Sequence, residues 1–181
     1  KTLEIMTDEF SIYLKDKNGV YILFSYNGEV PVDLDNVIMS PKILKNVDKQ
    51  TFQLIGGGYS KDKNSVFYEG KKLRNISPNN FNIFDGGISY DKILVDKNGA
   101  YKLLENENQK DKIIPLDSKN IDLKTLERIE SPMDSSNYFK DKNGVYYFTG
   151  LAKLTPNNIL SKVENADIPS FVQYMAGYAK D

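Results

Sequence analysis

The chain has 181 residues, enough for one ordinary domain with its own core or for several units of a repeat architecture. Its 24 basic and 25 acidic residues nearly cancel, so no single-sign field points to nucleic acid or to an anionic membrane as a partner. With no Cys and no His it lacks disulfides, thiol nucleophiles and imidazole-based triads or metal sites, which leaves carboxylates, Lys, Arg, Tyr and hydroxyls for any chemistry.

The first element is Lys15-Asp16-Lys17-Asn18-Gly19-Val20-Tyr21, and the chain writes it three more times. The copies are Lys61 to Phe67, with Ser65 in place of Gly, then Val95 to Tyr101, and Lys140 to Tyr146. Gly177 to Asp181 repeats the lead-in Gly58 to Asp62, a truncated fifth copy at 177–181. The motif Asp residues at 16, 62, 96, 141 and 181 stand 34 to 46 residues apart, a range found in solenoids and propellers, with insertions that differ between units.

Each Asp-Lys-Asn-Gly lies between short β-prone runs and so predicts a β-hairpin. The Asp accepts backbone N–H groups further along the turn, and the Gly is expected in the left-handed conformation of a three-residue hairpin with a bulge. A type I′ turn centred on Asn-Gly is the alternative. The bulge form is preferred, because all four copies keep Asp and Asn while the second has Ser65 for Gly, and it leaves Asn64 or Ser65 in a strained conformation there. After each turn, alternation sends Val20 and Ile22 to one face and Tyr21 to the other, and likewise in the other units. Stacked hairpins then present an aliphatic row and an aromatic row, Tyr21, Phe67, Tyr101 and Tyr146, of which one is core and the other half covered.

A second element recurs at Asp48 to Leu54, Ser77 to Phe81, Asp122 to Leu126 and Asp167 to Phe171, where Asp or Ser stands four residues before a large apolar side chain. This predicts an N-cap opening a short helix or single helical turn, with the apolar residue plugging inward. Ser40-Pro41 before Leu44 and Thr155-Pro156 before Ile159 repeat the pattern. The runs Gly56-Gly57-Gly58 and Gly86-Gly87 read as tight links between units, and Glu105 to Lys112 as an exposed polar loop.

These pieces together resemble the DKNYY repeat family of bacterial proteins. The resemblance rests on the lead-in Gly58 to Asn64, on Val66-Phe67-Tyr68, on Gly70-Lys71-Lys72-Leu73 and on the Asp-x-x-Thr-Phe turn at Asp48 to Phe52, and it touches every part of the chain. It implies a protein of the bacterial cell envelope or a secreted one, with no established activity. The third unit departs most, with Ile93-Leu94-Val95 in the lead-in and Lys102 where an aromatic is expected.

Other chemistries fit less well. Asp-x-Asn-Gly occurs in calcium loops, but the first ligand position is Leu14, Ser60, Leu94 or Phe139, and the twelfth is Ser25, Lys71, Glu105 or Gly150. The ligand ring is incomplete in every copy, so no metal is expected. Asp33 and Asp35 would share one face of a strand, as a glycosidase pair would, yet nothing marks a cleft around them. Gly56-Gly57-Gly58 lacks the Lys-Ser/Thr of a phosphate-binding loop. The Lys71, Lys72 and Arg74 cluster reads as the polar edge of a hairpin. No segment reaches the about 18 consecutive apolar residues of a membrane-spanning helix.

The expected fold is mainly β: one repeat array over 1–181 of about four hairpin units, with turns at 16–19, 62–65, 96–99 and 141–144 and short capped helical turns between them. A solenoid-like or twisted stack is the first arrangement and a closed propeller-like ring the alternative. The expected function is a non-catalytic binding or scaffold module of the bacterial cell envelope, without cofactor, holding a protein or glycan on Tyr21, Phe67, Tyr101 and Tyr146. A dedicated protein-interaction module, such as an adhesin segment or toxin-neutralising partner, is the alternative and needs a contiguous apolar patch. A carboxylate-based hydrolase stands third.

Overall fold

The computed structural model describes residues 3–25, 41–85, 92–104, 112–130, 137–148, 160–175 and 178–180. Asp33, Asp35, Gly86-Gly87, Thr155-Pro156 and almost all of the 105–112 stretch lie outside them. The described residues are β-strand and turn, with no helix.

Each motif hairpin is the middle of an open four-stranded antiparallel meander. The first sheet is β1 (Glu4–Thr7), β2 (Ser11–Lys15), β3 (Val20–Ser25) and β4 (Lys42–Ile43). The second is β5 (Gln53–Gly56), β6 (Tyr59–Lys61), β7 (Val66–Tyr68) and β8 (Lys71–Lys72). The third is β9 (Asn82–Asp85), β10 (Lys92–Val95), β11 (Ala100–Leu104) and β12 (Lys112–Leu116), and the fourth is β13 (Glu127–Arg128), β14 (Tyr138–Asp141), β15 (Gly144–Phe148) and β16 (Leu160–Lys162). A two-stranded sheet of β17 (Val172–Met175) and β18 (Tyr178–Lys180) completes the order. The chain divides into two compact units, Lys1–Pro78 with the first two sheets and Asn79–Asp181 with the other three.

The motif turn differs from both expected forms. Gly19, Gly99, Gly144 and Ser65 are all absent from the residues with positive φ. Instead the Asp side chain replaces the usual turn carbonyl as acceptor. Asp16 Oδ1 takes the Asn18 and Gly19 N–H at 2.7 and 3.0 Å, and Asp62 Oδ1 takes those of Asn64 and Ser65, both at 2.7 Å. Asp96 and Asp141 do the same. No left-handed residue is needed, so Ser65 fits without strain. The type I′ turn occurs elsewhere, at Glu69-Gly70 between β7 and β8, where φ is 46° and 72°. Gly57 and Gly58, at 60° and 80°, close the β5–β6 hairpin inside one sheet and are not a link between units.

The capped segments form single turns rather than helices. Asp48 Oδ1 accepts the Gln50 and Thr51 N–H, both at 3.1 Å, and Asp122 Oδ1 accepts those of Lys124 and Thr125. The strand begins at Gln53 or Glu127 immediately afterwards, leaving no room to propagate a helix past its costly first turn. Pro41 to Leu44 is not a capped turn at all: it holds β4, paired to β3 through Tyr21 and Ile43.

Within each unit the sheets stack front to back. The front of the first sheet, with Tyr13, Val20 and Ile22, packs against Phe52 and the back-facing Phe67 and Leu54 of the second. The front of the third, with Ile93, Val95 and Ala100, packs against Leu126, Phe139, Tyr146 and Phe148. The fourth sheet buries Val145 and Tyr138 against Phe171 and Ala179. Phe52, Leu126 and Phe171 are the plugs of the capped turns, between 3% and 9% exposed. Burial on this scale stabilises by roughly 1.5–3 kcal/mol per large apolar side chain.

Candidate functional site

The two recurring Asp elements, separate in sequence, are one interlocked structure. Asp62 Oδ2 accepts the backbone N–H of Asp48 at 2.7 Å. In return Lys63 pairs with the Asp48 carboxylate at 2.8 Å, and the Lys63 N–H donates to Thr51 Oγ1 at 3.0 Å. The fourth sheet repeats each contact. The Asp122 N–H donates to Asp141 Oδ2, Lys142 pairs with Asp122, and the Lys142 N–H donates to Thr125 Oγ1 at 3.3 Å. The Lys side chain of Asp-Lys-Asn thus serves the Asp of Asp-x-x-Thr, and the Thr hydroxyl serves the backbone N–H of that Lys. Asp62 and Asp141 are 2% and 4% exposed and accept from three backbone N–H groups each. Tyr146 O–H lies 3.1 Å from Asp141 Oδ1 and 3.0 Å from Asn120 O, and burial together with the Asp141 charge pushes its phenol up to about 12.

These carboxylates are occupied as turn acceptors rather than poised for proton transfer. The hydrogen bond from Lys63 holds Asp48 below its ordinary 3.8, and the one from Lys142 does the same for Asp122. Both lysines are raised above 10.5 by the same pairs. The pairs thus contribute in full between those two values. Their contribution is lost as pH falls through the lowered carboxylate values and again as it rises through the raised lysine values. Thermal melts of wild type and Asp48→Asn/Asp122→Asn should therefore differ at neutral pH and converge as the pH falls through the lowered carboxylate values, with a modest gap because both pairs face solvent.

The sequence reading missed one recurring residue. Asn46, Asn75 and Asn165 adopt φ of 58°, 63° and 60°, each two residues past the apolar residue that follows a sheet's last strand. The left-handed Asn turns the chain from one sheet toward the next capped turn. Its signal is legible in Leu44-Lys45-Asn46-Val47, Leu73-Arg74-Asn75-Ile76 and Val163-Glu164-Asn165-Ala166.

The predicted aromatic positions are structurally equivalent, each at the centre of the back face of its sheet. The cross-strand rows run Ile5–Leu14–Tyr21–Ile43, Leu54–Ser60–Phe67–Lys72, Ile83–Leu94–Tyr101–Pro115 and Arg128–Phe139–Tyr146–Lys162. They do not form one open row. Phe67 and Tyr146 are core residues, each 2% exposed, while Tyr21 and Tyr101 are half-buried. Burial, followed by the Asp96 charge, raises the Tyr101 phenol.

The first sheet is the exception that leaves its back face open. Ile5 is 63% and Ile43 49% exposed at the two ends of the Tyr21 row, and Leu3, two residues before Ile5, is 59% exposed. Leu14 and Ile12 extend the apolar surface between them and are half-buried. In the second unit a cleft of about 730 Å³ has Phe84, Val95 and Leu126 in its wall and Lys97, Lys124 and Asn80 around them. Its carboxylates, Asp96 and Asp122, are turn acceptors.

A model of the DKNYY family matches residues 5–106, which span the first three motif turns. No curated protein and no solved structure matches the chain. The interlocked turns at Asp122 to Gly144, beyond the matched stretch, reproduce the cross-contacts of those at Asp48 to Ser65 inside it. The chain is a member of the DKNYY family.

Proposed function

We propose that this protein is a non-catalytic binding and scaffold module of the bacterial cell envelope, and that it holds a protein partner on the back face of its first sheet. The observation that carries the reading is the apolar surface of Leu3, Ile5, Tyr21 and Ile43. Antiparallel sheets that face water alternate apolar and polar residues, whereas this sheet is apolar on both faces. Contiguous exposed apolar surface of this kind marks interaction sites. A glycan platform would need several stacked rings in an open groove, and Phe67 and Tyr146 are enclosed. The described Asp side chains of the motif turns serve the backbone, which agrees with a non-catalytic role.

The test is binding of the labelled protein to isolated bacterial envelopes. Ile5→Lys should weaken binding about tenfold or more, since it places a charge on the apolar surface beside Leu3 and Leu14. Its melting temperature should not move, because Ile5 is exposed. Lys97→Glu, in the cleft, should leave binding unchanged. Undiminished binding by Ile5→Lys, or a loss confined to Lys97→Glu, would reject this surface.

A further inference from the structure

The motif lysine of the third sheet lacks the partner that its equivalents have. Lys63 and Lys142 each pair with the Asp that opens the capped turn before their sheet, Asp48 and Asp122. Before the third sheet the same segment runs Ser77-Pro78-Asn79-Asn80-Phe81, with Ser in place of that Asp and Asn80 in place of the Thr. Ser carries no charge to pair, and the Lys97 N–H donates to Asn79 O at 3.2 Å rather than to a Thr hydroxyl. Lys97 is exposed, and its ammonium has no ion pair among the described residues.

The cleft of the second unit opens at this place, between the Asp96-Lys97 motif turn and the capped turn Asp122 to Leu126. In the first unit the corresponding turns are joined: Lys49 Nζ donates to Lys17 O, and Phe52 fills the core beside them at 3% exposure. In the second unit Leu123 stands where Lys49 does, and an aliphatic side chain cannot make that bond. Leu126 stands where the other three capped turns have Phe52, Phe81 and Phe171, and it fills less space than a ring. The opening therefore coincides with two departures from the repeat, one at the bridge and one at the plug.

The lining suits a small molecule. Phe84, Val95, Ile121, Leu123 and Leu126 supply an apolar wall, and the volume of about 730 Å³ lies within the range of about 300–1,000 Å³ usual for such sites. The charged groups are three lysines and two aspartates, one positive charge in excess. Lys142 is taken by Asp122, and Asp96 Oδ1 is taken by the Asn98 and Gly99 N–H groups at 2.7 and 3.0 Å. Lys97 and Lys124, one on each turn, are the cations left over, and Lys124 is likewise exposed and without an ion pair among the described residues.

We infer that this cleft binds a small organic acid, its apolar ring system lying on Phe84 and Leu126 and its carboxylate held by Lys97 and Lys124. The carboxylate takes the part that Asp48 plays for Lys63, and the ring takes the part that Phe52 plays in the first unit. The site is separate from the first sheet's back face and does not rest on it.

Titration with naphthylacetate, followed by methyl NMR, tests this. The Val95, Ile121 and Leu126 methyls should show saturable shifts, and the affinity should fall as salt rises. Naphthylmethylamine, with the same rings and the opposite charge, and acetate, with no ring, should each bind about tenfold more weakly or worse. Lys97→Glu, on an exposed turn, should weaken naphthylacetate binding about tenfold while the fold is kept. Leu126→Phe restores the ring found in the other turns and should abolish binding at Val95 and Ile121. Lys17→Glu and Ile5→Lys should bind as wild type does. The absence of saturable shifts at these methyls overturns the inference, and so does an amine that binds as tightly as the acid. Shifts lost in Ile5→Lys but kept in Lys97→Glu would place the acid on the first sheet and reject the cleft.

Discussion

Asp141→Ala should destabilise the protein by about 2–4 kcal/mol, read as a lowered urea midpoint followed by tyrosine fluorescence and far-UV circular dichroism. The side chain is 4% exposed and accepts from the N–H groups of Asn143, Gly144 and Asp122. Each donor left without a partner in a buried site costs about 1–3 kcal/mol, and a small cavity adds to that. The loss should stay within the upper figure, because water can reach part of a turn. Asp141→Asn should lose less: one amide oxygen still serves the hairpin, but the NH₂ group meets the Asp122 N–H that needs an acceptor. Asp16→Ala should lose least, since its turn is exposed and the acceptors lost there can be replaced by water. If all three substitutions cost the same, the interlock between the two Asp turns contributes nothing beyond ordinary turn chemistry.

Phe67→Ala should cost about 3–5 kcal/mol, while Tyr21→Ala, at the same register position one sheet earlier, should cost about 1 kcal/mol or less. Phe67 is 2% exposed and packs on Phe52 in the core between the first two sheets, with ring centroids 6.3 Å apart. Its removal opens a cavity that rigid strands on both sides cannot collapse. Tyr21 faces outward beside Ile5 and Ile43, so truncation exposes little that was buried. Envelope binding on the first sheet should show the reverse order, diminished in Tyr21→Ala. Equal urea midpoints for the two variants would mean that the first sheet's back face is covered after all.

The hairpin at each motif was legible because its cause is local. An Asp carboxylate accepts from N–H groups two and three residues ahead, so four adjacent residues specify the turn. The choice of turn type was not legible, because Gly at the fourth position invites a left-handed conformation that the side-chain acceptor makes unnecessary. Its smallness serves another end. A Cβ on Gly144 would sit 2.7 Å from Lys162 Cε, and one on Gly19 would sit 3.3 Å from Ile43 Cδ1, so the residue leaves room for the last strand's side chain. The capped turns were legible as caps but overread as helices, since capping chemistry is the same whether one turn follows or several. The bond from the Lys63 N–H to Thr51 Oγ1 was hidden because the partners are 12 residues apart and meet only when the strands pair.

By itself, the sequence determined the repeat, the antiparallel hairpin at its centre, the alternation that separates Val20 and Ile22 from Tyr21, and the inward plug at Phe52, Leu126 and Phe171. Each follows from interactions within a few residues or from the period of a strand. Only the tertiary structure decided which alternating face is core, and its answer is both, wherever another sheet lies on each side. Tyr21 and Phe67 have the same local pattern and opposite environments. Burial belongs to the neighbour that covers a residue, not to the residue's own place in its strand, so the exposure of Ile5 and Ile43 beside the Tyr21 row could be read only from the tertiary structure.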